Sequence, residues 1–256
     1  MGGRDDSTDD QEIEINLRPP SEVARRLIAL AALCRRAFLE SPSGSAELDE
    51  APDAEAFDLV TWLDEHDLAR DLTKEERRLL DTPVGALSRD EMRAGTWNAE
   101  ALLALGWAGG LLPARLDPIA PGDPQPVLGS VPSPWSSPAA WIESFDLRSE
   151  EEIAGERERA EVWLWRAEIE DERRHLSGRR LAELETDIRD VVRESVESGI
   201  LRRGAHDDFP VEGRPFRTLQ EDRVDLIATI AAVRLHALNW LCGFGSSWDD
   251  VPLAVD

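Results

Sequence analysis

The sequence predicts an all-α protein, an irregular bundle of about seven helices with a long Pro-rich strap between its halves. Three observations predict it. Apolar residues recur at helical spacing through nearly the whole chain. Capping signals of the Ser/Thr-x-x-Glu type stand at the start of the periodic runs. Eight of the sixteen prolines crowd into residues 112–138, which therefore cannot be regular helix.

Each element follows from its punctuation. Pro19-Pro20-Ser21 opens a helix with Val23, Leu27, Leu30, Ala31 and Cys34 on one face, fading near Glu40. A second helix is expected over about Ala54–Leu68, with Phe57, Val60, Trp62 and Leu63 as its apolar positions. Thr73-Lys74-Glu75-Glu76 is a capping box for a short helix to Asp81, stopped by Pro83, and Ser88-Arg89-Asp90-Glu91 is a second box. After Gly95, Thr96 or Asn98 is the expected start of a helix to Gly109-Gly110; apolar all round, it belongs at the centre. The Pro-rich strap follows, with Trp135 and Trp141 as its expected anchors. Ser149-Glu150-Glu151-Glu152 opens a long helix to about Leu176, and Arg180–Glu197 is the next, ended by Ser198-Gly199. Residues 200–217 read as a loop with room for a small hairpin, and Thr218-Leu219-Gln220-Glu221 as a fourth box opening the last helix to Cys242.

The 256 residues suit a single α-helical domain over 18–256, preceded by an acidic disordered lead, 1–17, in which Ile13, Ile15 and Leu17 could dock as an extended piece. The net charge is −24, from 29 basic and 53 acidic side chains. A chain so acidic is repelled by phosphate, which argues against nucleic acid as a partner. The excess is uneven. The lead, residues 47–58 and the tail are almost purely acidic, whereas residues 146–197 hold seventeen acids with ten arginines, as exposed mixed-sign helices do. The charge-free stretch Ala101–Leu112 is shorter than the ~18–20 residues that span a bilayer. No membrane association is expected, and a cytoplasmic location is.

Catalytic parts are scarce. There is one lysine, Lys74, no tyrosine, and no P-loop, G-x-S-x-G, H-E-x-x-H or G-x-G-x-x-G. Cys34 and Cys242 are far apart in helical patterns and read as free thiols. Glu172-x-x-His175 has di-iron spacing without a second copy, and His206-Asp207-Asp208 is explained as well by a polar loop. No metal and no cofactor is expected.

Two arginines stand out. Arg234 is the single formal charge between Leu226 and Cys242, on a face with Ile227, Ile230, Leu238 and Leu241. Arg166 interrupts an apolar run containing Trp163 and Trp165. A guanidinium buried without a partner costs several kcal/mol, so each demands a carboxylate from elsewhere in the fold.

Several segments carry a family resemblance. Arg18-Pro19-Pro20-Ser21-Glu22-Val23, Trp97-x-x-Glu100-Ala101-Leu102-x-x-Leu105-x-Trp107-Ala108, Leu147-Arg148-Ser149-x-x-Glu152-Ile153 with Ala160-Glu161-x-Trp163-x-Trp165-Arg166, and Arg234-x-x-Ala237-Leu238-Asn239-Trp240-Leu241 with Trp248-Asp249-Asp250-Val251 resemble the bacterial domain-of-unknown-function family 4272. The chain departs from that pattern at Val233, where a glutamate is usual, and at Gly109, where an apolar residue is. The resemblance implies positions rather than a mechanism: a polar set of Glu100, Arg148, Glu152, Arg166, Arg234, Asn239, Asp249 and Asp250, with aromatic walls Trp107, Trp163, Trp165, Trp240 and Trp248.

These residues admit two readings. Either the arginines clamp a carboxylate or phosphate in a pocket, with the Asp249-Asp250 pair as base or metal ligand, or arginines and acids neutralise one another and tie the helices together. The expectation is a protein–protein interaction module, possible in an immunity or inhibitor role against a basic partner. The alternative is a small-molecule binding or hydrolytic enzyme built on the Arg/Trp/carboxylate pocket.

Overall fold

The computed structural model describes residues 15–41, 51–202 and 207–254. Among these, nine α-helices account for the fold: α1 (Pro20–Leu39), α2 (Pro52–Glu65), α3 (Lys74–Asp81), α4 (Arg89–Ala108), α5 (Gln125–Ser130), α6 (Ala139–Ser144), α7 (Glu150–His175), α8 (Gly178–Glu197) and α9 (Glu221–Leu241). The all-α class stands, and one two-residue hairpin is added, Pro210–Val211 against Arg214–Pro215. Glu212 and Gly213 turn it, both at positive φ.

The core is a row of four long helices packed in the order α1, α4, α9, α7. α1 and α4 are buried on nearly every side along their apolar halves, as their composition demands. α9 has the length and apolarity of a membrane span, yet most of it lies inside the protein between α4 and α7. α2 and α3 lean on α1, and α8 lies outside α7.

Three of the four capping boxes close as their sequences specify. Thr73 with Glu76, Ser88 with Glu91 and Ser149 with Glu152 each exchange both side-chain-to-backbone hydrogen bonds. The second box starts α4 itself, so Gly95 lies inside a continuous helix instead of before one. The glycine serves packing: a Cβ at Gly95 would stand 3.2 Å from that of Ala37, so its lack of a side chain lets α4 lie close against α1. The fourth box does not form. The Thr218 hydroxyl donates to Pro215 O (2.8 Å) within a 3-10 turn, and α9 begins after Gln220 with no side-chain cap.

The Pro-rich segment runs over the core and carries α5, with α6 directly after it. Its anchors are Val127 and Val131, both buried, and not Trp135, which is 68% exposed; Trp141 packs partly, against Phe145 (5.1 Å). Proline-set turns place the small valines over the floor and leave Trp135 on the outer side. At the other end of the chain, Asn16 N donates to Cys242 O (3.1 Å) and Arg18 N to Leu241 O (2.9 Å), so the end of the lead is tied to the C-terminus of α9. Gly243 permits this: its φ is +89°, and a Cβ there would meet Asn16 O at 2.5 Å. Ile13 lies outside the described residues.

Candidate functional site

The polar residues singled out by the sequence are not brought to one place. They separate into four stations, each joining segments distant in the chain.

The first station joins α4 to α9. Arg234 donates from Nε and Nη2 to Glu100 Oε2 (2.8 and 2.6 Å), and its remaining donors go to Asp117 O (2.6 Å) and Ala120 O (3.2 Å). Glu100 Oε1 accepts from Gly122 N (2.9 Å). Both side chains are buried, and the strap at 117–122 seals them. The carboxylate that Arg234 demands is thus Glu100, directly before the apolar run 101–108 that ends α4.

The second joins α7 to the hairpin. Arg166, wholly inaccessible, forks onto Asp208 through Nε (2.7 Å) and Nη2 (3.1 Å) and reaches Glu170 through Nη1 (3.0 Å). Asp208 also accepts from the backbone N–H of Phe209 and of Arg217 (2.8 Å each), which fixes the hairpin. Glu170 is shared with Arg173 and Arg174; against the opposing effect of burial, the hydrogen bonds and charges of Arg173 and Arg166 hold its carboxyl below the usual glutamate range. The Arg166 guanidinium lies over Phe216 (4.4 Å), and Phe209 meets Trp163 edge-on (5.2 Å). Sequence reading missed Asp208 as this partner: nothing in a polar loop signals which acid turns inward.

At the third, Arg148 satisfies the open end of α4. It donates to Trp107 O and Leu112 O (2.8 Å each) and to Glu152 Oε1 (3.2 Å), with its guanidinium over the Trp107 ring (4.9 Å). Gly109 lies beside it. A Cβ there would stand 2.1 Å from Phe145 Cζ, so the departure from the family pattern at this position makes room for an aromatic ring.

The fourth is the tail. Asn239 accepts from Arg157 Nε (2.7 Å) and donates to Pro252 O (2.8 Å). Arg26, buried and forked onto Glu76, stacks on Trp248 at 3.8 Å, and Trp248 meets both Trp240 (5.4 Å) and His236 (4.8 Å). Burial lowers the His236 pKa. Asp249 makes no ion pair with any of the three singled-out arginines. Asp250 caps its own turn through Ser246 and Ser247, which hold its carboxyl at about 2.

An aromatic-walled pocket does exist where Trp107, Trp163 and Arg234 meet, but its volume is about 20 Å³. That is room for about one water. Trp165 contributes no wall to it and packs toward Phe209 instead (6.5 Å). Among the described residues no three His, Cys, Asp or Glu side chains converge on a point that could hold a metal. His175 and Glu172 are exposed at the end of α7, and His206 lies outside the described residues. Both cysteines are free, with thiols pushed up to about 12 by burial, so neither is a thiolate nucleophile at neutral pH.

A larger concavity opens elsewhere. A groove of about 810 Å³, mostly apolar, lies between the C-terminal half of α1, α2, α4 and α5. Leu59 and Leu128 form apolar walls, and Phe38 stands exposed at its edge. Arg35 and Glu55 both line it without forming an ion pair with each other or with any other described residue. Arg35 makes one long hydrogen bond, to Leu128 O at 3.4 Å, and burial lowers its pKa.

The model of a family described as a domain of unknown function (DUF4272) matches residues 8–183, more than half of the chain, and the chain belongs to that family. The match covers the groove, Glu100, Arg148 and Arg166, and ends before Arg234, Asn239 and the tail. No curated protein and no solved structure gives a significant match.

Proposed function

We propose that this member of the DUF4272 family is a non-catalytic binding protein that meets a basic protein partner, in the manner of an immunity-type inhibitor inside the cell. The observation that carries the reading is Phe57, 71% exposed on α2. That helix bears Asp53, Glu55, Asp58, Asp64 and Glu65 and no lysine or arginine. An aromatic anchor on a helix whose own charges are all acidic, with Asp64 drawn off by Arg77 of α3, has the composition of an interface whose charge steers encounter and whose ring supplies the affinity. The buried arginines support the same reading from the other direction. Arg166 and Arg234 have their donors occupied by Asp208, Glu170, Glu100 and backbone carbonyls, which leaves little for clamping a substrate.

The test is capture of partners from the host cell with the full chain as bait, followed by binding kinetics with the purified partner. A basic partner is expected, with an association rate that falls at least about tenfold between low and physiological salt. Phe57→Ala should weaken binding by about tenfold or more while leaving thermal unfolding unchanged. A partner indifferent to both salt and Phe57, or no partner at all, overturns the reading.

A further inference from the structure

Every arginine on an inner or half-buried position of the described fold, with one exception, has a carboxylate within ion-pairing distance. Arg18, just before α1, has Glu22, and on α1 itself, which also carries the exception, Arg25 has Asp71, Arg26 has Glu76 and Arg36 has Glu40. Arg157, Arg159, Arg166 and Arg234 are served likewise. The exception is Arg35. The fold has thus paired its neighbour Arg36 with Glu40 and left Arg35 lining an apolar groove with a 3.4 Å bond to Leu128 O. Desolvating a guanidinium without an anion costs free energy, and in this fold that cost is met everywhere else.

Glu55 is the complementary case. It lines the same groove from α2, is half-buried, and makes no direct ion pair among the described residues, its charge acting on Arg35 only at longer range against the effect of burial. The two charges share one concavity without a direct ion pair, and its walls include the apolar side chains of Leu59 and Leu128. A ligand that satisfies both must carry an anion and a cation at its ends and an apolar body between. The groove's volume, about 810 Å³, falls in the range of small-molecule sites, too roomy for one free amino acid and too small for a folded partner. Gln125, exposed on α5 at its edge, has a side-chain amide suited to a peptide bond.

We infer that this groove binds a short apolar peptide with free termini, of dipeptide size, its carboxylate on Arg35 and its ammonium toward Glu55. Glu55 is the one α2 acid named above that lines the groove; Phe57 does not line it, and the site does not depend on the partner proposed above. Cys34 also lines it, as an apolar wall: its buried thiol is protonated.

The experiment is calorimetric titration of the full chain with L-leucyl-L-phenylalanine, its N-acetyl form and its C-terminal amide. One-to-one binding with a Kd at or below about 1 mM is expected for the free dipeptide. Blocking either terminus should weaken it by about tenfold. Arg35→Met should abolish the advantage of the free carboxylate, and Glu55→Gln that of the free ammonium, each without changing thermal unfolding. Since neither side chain is ion-paired in the fold, loss of folding in one variant leaves the other to decide. Absence of saturable binding overturns the inference. So does binding that survives both blocked termini, or that ignores both variants.

Discussion

The α4–α7–α9 half and the α1–α2 groove treat the same residue type in opposite ways. In the first, Arg234 uses its donors on a carboxylate and carbonyls 114 to 134 positions away in the chain, and Arg166 on Asp208, 42 positions away, and on Glu170 one turn along its own helix. In the second, Arg35 keeps one long bond and faces open space. The lesson is that an arginine in an apolar helix says only that an anion is required. Whether the fold supplies it or leaves it to a ligand is what separates a structural cation from a binding one.

The strongest way to break that comparison is Arg166→Ala. If Arg166 is structural, its loss strands Asp208 in the interior without its guanidinium partner, while Glu170 keeps Arg173 and Arg174, and unfolding in denaturant should show a loss of about 3 kcal/mol or more. Glu100→Gln should cost about 3 kcal/mol and free the strap, seen as new proteolytic cleavage near residues 117–122, because Arg234 then holds that segment without its carboxylate. Gly109→Ala drives a methyl into Phe145. A cost of about 1–3 kcal/mol is expected, largely recovered by adding Phe145→Leu.

The tail gives a pH test. The folded state lowers the His236 pKa, so on acidification the unfolded chain takes up the proton first and stability falls below the ordinary imidazole range, about 6.5. His236→Gln should flatten the dependence of unfolding free energy on pH in that window. The smallest effect belongs to Arg35→Met, expected to shift stability by less than about 0.5 kcal/mol. A loss as large as that for Arg166 would place Arg35 among the structural cations and end the contrast.

Much of the local structure was legible beforehand because its causes are local. Pro20 at the first turn of α1, the boxes at Thr73, Ser88 and Ser149, and the stop at Gly199 act within four residues of themselves. Misreadings arose where a distant segment intervened. Gly95 reads as a helix breaker and is a packing contact with Ala37; Thr218 reads as a cap and serves a turn in which the Arg217 N–H is held by Asp208. Trp135 reads as an anchor, yet the strap is held by Val127 and Val131.

The sequence by itself determined the helical class, the helix starts and the need of Arg166 and Arg234 for anions, since periodicity, capping and the cost of a bare buried charge are properties of short stretches. Only the tertiary structure decided that Glu100 and Asp208 answer those needs, that the eight polar candidates divide among four stations, and that Arg35 and Glu55 face one groove unpaired. Partner choice depends on which distant segments packing brings together. That is settled by the burial of whole helix faces, a sum over the entire chain that no single motif records.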